Sequence, residues 1–318
     1  MTTLALAGDT MLGRGVGEYL AGHRARTLFG EDLLEVLADT DAMLLNLECC
    51  ISERGTPWPG RVFHFRAPPS AVDALALLGV RWVTLANNHA LDFGPAALLD
   101  TVEHLRRAGI AVAGAGEDLS AARAPVRVEV GGTVMTLVSF TDHPAEYAAG
   151  HDRPGVAYAD VGHGLPHWLA EAVRGLSAGT APLIVSPHWG PNLTARPRRY
   201  VQQAAAELRA CGASLVAGHS AHVVHGAADR VLFDLGDFLD DYAADLALRN
   251  DLGLLWLLHL EGSVLTQVHA VPLRLGYCHT ALARGDDAEW VRRRFRRACA
   301  ELGSDVVDAD GRLVVPLS

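Results

Sequence analysis

The chain has 318 residues, a formal net charge of −10, 50% hydrophobic residues and 20% charged residues. A folded chain of this length buries about 75% of the surface that its unfolded form exposes, so it needs no staples, and its acidic balance argues against a nucleic-acid partner. All 27 residues of the Lys+Arg total are arginine; without a lysine amine there is no pyridoxal-phosphate (PLP) enzyme, Schiff-base aldolase, P-loop NTPase or protein kinase.

Short apolar runs alternate with longer segments of helical period, the pattern of an α/β sheet. The N-terminus, MTTLALAGDTM, has no basic leader and reads as a first strand over 4–7. A second strand is expected over 42–45, an irregular Gly-, Pro- and Arg-rich stretch over 55–69, and a helix over 71–78. Next come a strand over 82–85, a helix over 95–108, a strand over 133–138 and a second irregular stretch over 141–164. A helix over 165–176, a strand over 183–185 and a helix over 200–211 follow, then strands over 214–216 and 230–233. An antiparallel hairpin of 254–260 with 264–271 and an appended helix over 288–302 close the chain. Residues 1–272 are read as one domain, with 273–318 as an extension packed on it. The longest apolar run, 252–260, is too short to span a bilayer. Five cysteines without a C-x-x-C suit reduced thiols, so a cytoplasmic protein is expected.

The informative residues follow the strands. The runs deliver Gly8-Asp9, Asn46-Leu47-Glu48, Asn87-Asn88-His89, His188-Trp189-Gly190, Gly218-His219-Ser220-Ala221-His222 and Asp234-Leu235-Gly236-Asp237. In open α/β sheets that edge is where ligands bind, so these side chains are expected to share one crevice. Carboxylate, amide and imidazole donors suit Mn, Fe or Zn without a thiolate. One carboxylate can bridge two cations about 3.5–4 Å apart, the arrangement that activates water against a phosphoester. For any single residue, an N-cap or a hydrogen-bonded structural role is the ordinary alternative.

The set GDTML (8–12), NLE (46–48), FRAPP (65–69), LANNHALDFG (85–94), HWG (188–190), GHSAH (218–222) and LGDF (235–238) resembles the CapA-like (poly-γ-glutamate capsule synthesis) family. That family is a branch of the calcineurin-like metallophosphoesterase superfamily. The resemblance implies a four-layer α/β/β/α sandwich of metallophosphoesterase type. It places Asp9, Glu48, Asn88, His188, His219 and His222 at metal-ligand positions and makes His89 the acid beside Asn88. Two departures stand in the motifs: Met11 occupies the usual histidine of Asp-x-His, and Ser220 the middle histidine of GHHPH. One cation site is therefore expected rather than two.

Three functions fit these residues. The first is a metal-dependent hydrolase of a phosphoester or peptide-like bond, in which Glu48, Asn88, His188 and His219 hold the cation, Asp9 and His222 complete a second, weaker site, and His89 protonates the leaving group. The second is a metal- and cofactor-independent peptide epimerase, in which Asp9 and His219 or His222 are two bases flanking one Cα. The third is a non-catalytic binding protein for an acidic polymer. Arg66, Arg14 and Asn192 are candidates for holding a small-molecule or peptide substrate. Gly114-Ala115-Gly116 is not a full G-x-G-x-x-G, so no NAD site is expected, and GHSAH is not a nucleophile elbow. Asp142-His143 and 151–153 read as a lid or solvated loop, Asp237, Asp240, Asp241 and Asp251 as an exposed acidic turn or, alternatively, carboxylates that back the site, and RRRFRR (292–297) as a solvated helix face pairing with the acidic body.

Overall fold

Along the first strand, Thr2–Thr10, alternate residues belong to two different cores: Ala5 and Ala7 to one, Leu4 and Leu6 to the other. The second strand, Ala42–Leu47, divides the same way, with Met43, Leu45 and Leu47 opposite Ala42 and Leu44. Side chains of a strand point alternately to the two faces of its sheet, so a strand apolar on both faces must be covered on both. The computed structural model describes residues 1–309 and 311–317; Asp310 and Ser318, both in the expected C-terminal extension, lie outside the described residues.

Two sheets form the inner layers. In the larger, Thr2–Thr10, Ala42–Leu47, Val80–Thr84 and Ala111–Ala113 run parallel, and Leu252–Glu261 pairs antiparallel with Thr2–Thr10. In the smaller, Thr133–Thr141, Leu183–His188, Leu215–Ala217 and Val231–Leu232 run parallel. The space between the sheets holds Trp82, Met135, Leu137, Leu215 and Trp256. Helices Arg14–Gly22, Glu31–Ala38, Val72–Leu77 and Gly94–Arg107 bury Val16, Leu33, Leu75 and Leu98 on the outer face of the larger sheet. His167–Ser177 and Arg199–Ala210 bury Leu169, Val173, Val201 and Leu208 on the outer face of the smaller. The result is the α/β/β/α sandwich expected from the sequence.

The expected hairpin is present and longer, Leu252–Glu261 with Val264–Gly276. Position 272 falls inside its second strand, which also pairs with His279–Leu282 and Arg312–Val315. The helix Gly285–Ala300 puts Val291, Phe295 and Cys299 into the inter-sheet core. No helix among the described residues is long and apolar enough to cross a membrane.

Two short helices, Arg14–Gly22 and Glu31–Ala38, were not anticipated. Each begins at a glycine with no side-chain cap, so neither carries the usual start signal. The strand expected over 133–138 runs on to Thr141 and ends in Asp142-His143, so it too delivers a carboxylate and an imidazole at its C-terminal end.

Candidate functional site

Parallel strands place their C-terminal ends on one edge of each sheet, and the two edges meet. Asp9 ends the first strand and is buried at 1% exposure. A parallel pairing of Asp9 with Asp237, fixed by Asp9 N donating to Gly236 O at 2.9 Å, brings the Asp237 carboxyl to the same place. Gly8 makes that approach possible, because a Cβ there would lie 1.7 Å from Gly236 O. Asn46 donates to Asp9 Oδ1 at 2.8 Å and accepts from Thr84 and Asn87, tying three strand ends together.

Two groups of three ligand atoms lie within 4.8 Å of one another: Asp9, Glu48 and His188, and Asp9, His222 and Asp237. They differ in one respect. In the first, both Glu48 carboxylate oxygens and His188 Nε2 are buried without a hydrogen-bond partner. In the second, His222 Nδ1 already donates to Asp237 Oδ1 at 2.7 Å and lies 3.3 Å from Asp9 Oδ2, and Asp237 Oδ2 is the one buried oxygen left without a partner. A buried polar atom without a partner costs about 1–3 kcal/mol, so several converging at one point are a cradle for something that accepts their lone pairs. Asn88 Oδ1 is a further buried, unpartnered acceptor. This donor set suits a divalent cation.

The expected ligands are thus brought together, with one distinction. His219 Nδ1 lies 3.2 Å from Asp9 Oδ1 and its Nε2 lies 3.1 Å from Ser186 Oγ, but it belongs to neither three-ligand group. Ser220 turns its hydroxyl away to Gly190 O, at a φ of 110°, and offers Asp9 only its backbone N–H at 3.2 Å. Met11 is buried, its sulfur accepting from Gly13 N. The acidic turn is corrected: Asp237 and Asp240 are 2% and 6% exposed, so they line the centre rather than face solvent. Sequence reasoning had the signal for Asp237, a Gly-Asp after a strand, but not the pairing that brings it to Asp9.

Burial sets the electrostatics. It lifts the Glu48 carboxyl well above its ordinary range, helped by Asp9 and Asp237 and opposed by His222. It would lift Asp9 too, but the close contact and charge of His219, with His222 and His188, bring that carboxyl well below its usual value. Burial pulls His188 well down. His222 goes the other way: despite burial, Asp237, Glu48 and Asp9 raise it well above an ordinary imidazole. Asp237 is pushed up by burial to about 6, against the pull of His222.

A cavity of about 320 Å³ opens over this centre, with His89 and His222 in its wall beside Phe63, Phe65, Tyr242 and Asn192. His89 is stacked on Phe65 at 4.0 Å and donates from Nδ1 to Asp92 Oδ2 at 2.6 Å. Asp92 also accepts from Phe65 N and Tyr147 OH, so its carboxylate is fixed. Arg14 lines the cavity too, its guanidinium paired with Asp241 at 3.0 Å. Arg66 instead lies over the Phe93 ring at 4.1 Å and is not among the residues lining this cavity. His143 is held by Asp142, and its ring centroid lies 5.3 Å from that of His188. Asp142 also accepts from Gly190 N and Tyr200 OH, so this pair belongs to the site and not to a solvated loop. Residues 151–153 form an exposed turn closed on itself by Gly150 and Arg153.

The family described as "Bacterial capsule synthesis protein PGA_cap" matches residues 3–242, a span that includes every side chain of the centre. The chain belongs to this family. A "probable polyglutamine synthesis accessory protein" of Mycobacterium tuberculosis is 31% identical, over 99% of this chain and 96% of the relative. The "PGA biosynthesis protein CapA" of Bacillus subtilis is 25% identical, over 74% of this chain and 63% of that one. A solved structure of a hypothetical protein from Thermus thermophilus covers 86% of this chain and 99% of its own at 15% identity and a TM-score of 0.50, a likeness of fold. The PGA_cap match ends before the hairpin at 252–276, so that hairpin and the C-terminal helix extend beyond it.

Proposed function

We propose that this PGA_cap protein is a metal-dependent hydrolase of metallophosphoesterase type, acting on a phosphoester or peptide-like bond. The observation that carries the reading is the group of Asp9, Glu48 and His188 ligand atoms within 4.8 Å of one another, in which both Glu48 oxygens and His188 Nε2 are buried without a partner. Asp9, Glu48 and His188 would hold one divalent cation, with Asn88 nearby. In the group Asp9, His222 and Asp237 an internal hydrogen bond already occupies His222 Nδ1 and Asp237 Oδ1 and leaves Asp237 Oδ2 without a partner, which favours the first group as the cation site. A bound cation of this kind supplies Lewis-acid stabilisation and lowers the pKa of water.

The chain's own residues do the rest. His89, with Nδ1 committed to Asp92, presents Nε2 for proton exchange with a leaving group. Burial lowers its pKa by more than Asp92 restores, so the ring is neutral, and the proton it gives the leaving group would first be taken from the attacking water. Phe63, Phe65 and Tyr242 give the cavity apolar walls, while Arg14 and Asn192 supply the polar contacts that orient a substrate. The names of the relatives suggest a place in making a glutamate polymer, so oligoglutamates and their phosphorylated forms are the first substrates to try.

The epimerase reading draws on His222, an imidazole held in its charged form among three carboxylates, which is a poised acid without a metal. Its candidate pairs, however, are in direct contact: Asp9 lies 3.2 Å from His219 and 3.3 Å from His222, which leaves no room for a Cα between them. Chelation separates the readings. Hydrolysis should stop with EDTA and return with Mn²⁺ or Zn²⁺. Deuterium uptake at a peptide Cα that persists in EDTA would instead establish the epimerase, and ligand retention with no turnover in either assay a binding protein.

A further inference from the structure

A second cavity, about 410 Å³, lies away from the strand ends and shares no residue with the centre described above. One wall is the C-terminal helix Gly285–Ala300, which contributes Trp290, Arg293, Arg294 and Arg297; Arg196 and Glu301 complete it. Four guanidinium groups thus face one carboxylate. Glu301 is shared, a single oxygen accepting from Arg196 at 2.8 Å and from Arg297 at 3.1 Å. Arg293 and Arg294 form no ion pair or hydrogen bond among the described residues, and Arg294 Nη2 is buried without a partner. Trp290 keeps Arg294 in place, its ring centroid 5.4 Å from the guanidinium carbon.

The RRRFRR run is therefore split by helical period. Arg292 and Arg296 pair with Asp308 on one side. Arg293, Arg294 and Arg297 converge on the cavity, where nothing neutralises them fully. In a chain of net charge −10 this is not spill-over from a basic protein. Arg196, Arg293 and Arg297 stand at the exposed rim, while Arg294 is partly buried, where an uncompensated cation is costly, and burial pulls it down from an ordinary arginine. Planar guanidinium forks match multidentate oxyanions. A polypeptide carboxylate brings one charge per residue, spaced about 3.5 Å along an extended chain. A phosphate group brings about 1.5–2 charges and three acceptor oxygens at one point.

We propose that this cavity is a binding site for a compact multivalent oxyanion of the phosphate-ester class, such as the diphosphate of a small ligand. The test is calorimetric titration of the full chain with inorganic pyrophosphate in EDTA, for the wild type, Arg293→Gln/Arg294→Gln, Arg196→Gln and Asp9→Asn. Both arginine variants should lose at least tenfold in affinity and the thermal shift that pyrophosphate gives the wild type. Asp9→Asn should bind as the wild type does. Arg293→Gln/Arg294→Gln should melt close to the wild type without ligand, because the side chains removed lose no ion pair or hydrogen bond and only the Arg294–Trp290 contact. Undiminished binding in the arginine variants overturns the proposal. So does loss of binding in Asp9→Asn, or titration by triglutamate but not by pyrophosphate.

Discussion

Glu48→Gln separates a metal ligand from a structural acid. The Glu48 side chain is fully buried, and neither carboxylate oxygen has a hydrogen-bond partner. Each such atom costs about 1–3 kcal/mol, and an uncompensated buried charge about 3–5 kcal/mol. A cation that answers those lone pairs stabilises the folded chain by about 2.7 kcal/mol at a hundredfold excess over its Kd. For a chain of this size, that corresponds to a rise of roughly 5 °C in Tm. Differential scanning calorimetry of EDTA-stripped protein, with and without added Mn²⁺, should show this rise in the wild type and less than roughly 1 °C in the variant. Without metal, Glu48→Gln should melt close to or above the wild type, since the buried acid it removes has no hydrogen-bond partner and only long contacts, 3.9 and 4.0 Å, with His222 and His188. A variant that keeps the full Mn²⁺ shift, or that melts several degrees lower when stripped, would refute the reasoning.

Elemental mass spectrometry of Mn-loaded protein should find His188→Ala with less than roughly a tenth of the wild-type metal, and Asp237→Asn with about one equivalent still bound. Metal loss in Asp237→Asn would move the cation to the other group. Gly8→Ala places a Cβ 1.7 Å from the backbone oxygen of Gly236, so denaturant unfolding should show a loss near the upper end of the ~1–3 kcal/mol range for overpacking. An unchanged midpoint would mean that this strand approach is soft. His225 is buried and pushed down to about 4 by burial, while its Nε2 contacts Thr194 O at 2.7 Å. The fold therefore holds the neutral ring. Its contribution is complete above the unfolded value of about 6.5 and is lost as pH falls from there to about 4, by up to about 3 kcal/mol. Relative to the wild type, His225→Gln should gain stability across that window in urea titrations; a pH-independent difference would show that the ring is already charged in the fold.

Much of the site was legible along the chain because a parallel strand announces its C-terminal end. An apolar run stops and a carboxylate, amide or imidazole follows, which is how Asp9, Glu48, Asn88, His188 and His222 were found. The alternation of short apolar runs with helical segments gave the α/β class, and the resemblance carried by the motifs implied the sandwich. What the sequence could not settle was which polar residues meet. Asp237 read as part of an exposed acidic turn until its parallel pairing with Asp9 buried it beside His222. Asp142-His143 read as loop until its strand ran on to Thr141 and set the imidazole against His188. RRRFRR read as a solvated face pairing with the acidic body, and the pairs with Asp308 and Glu301 agree with that; which arginines turn to the cavity was decided only by the burial of Val291, Phe295 and Cys299, which fixes the rotation of the helix. Strand periodicity and end chemistry are local and survive in one dimension. Burial, register and helix rotation depend on contacts between residues far apart in the chain, and only the tertiary structure decides them.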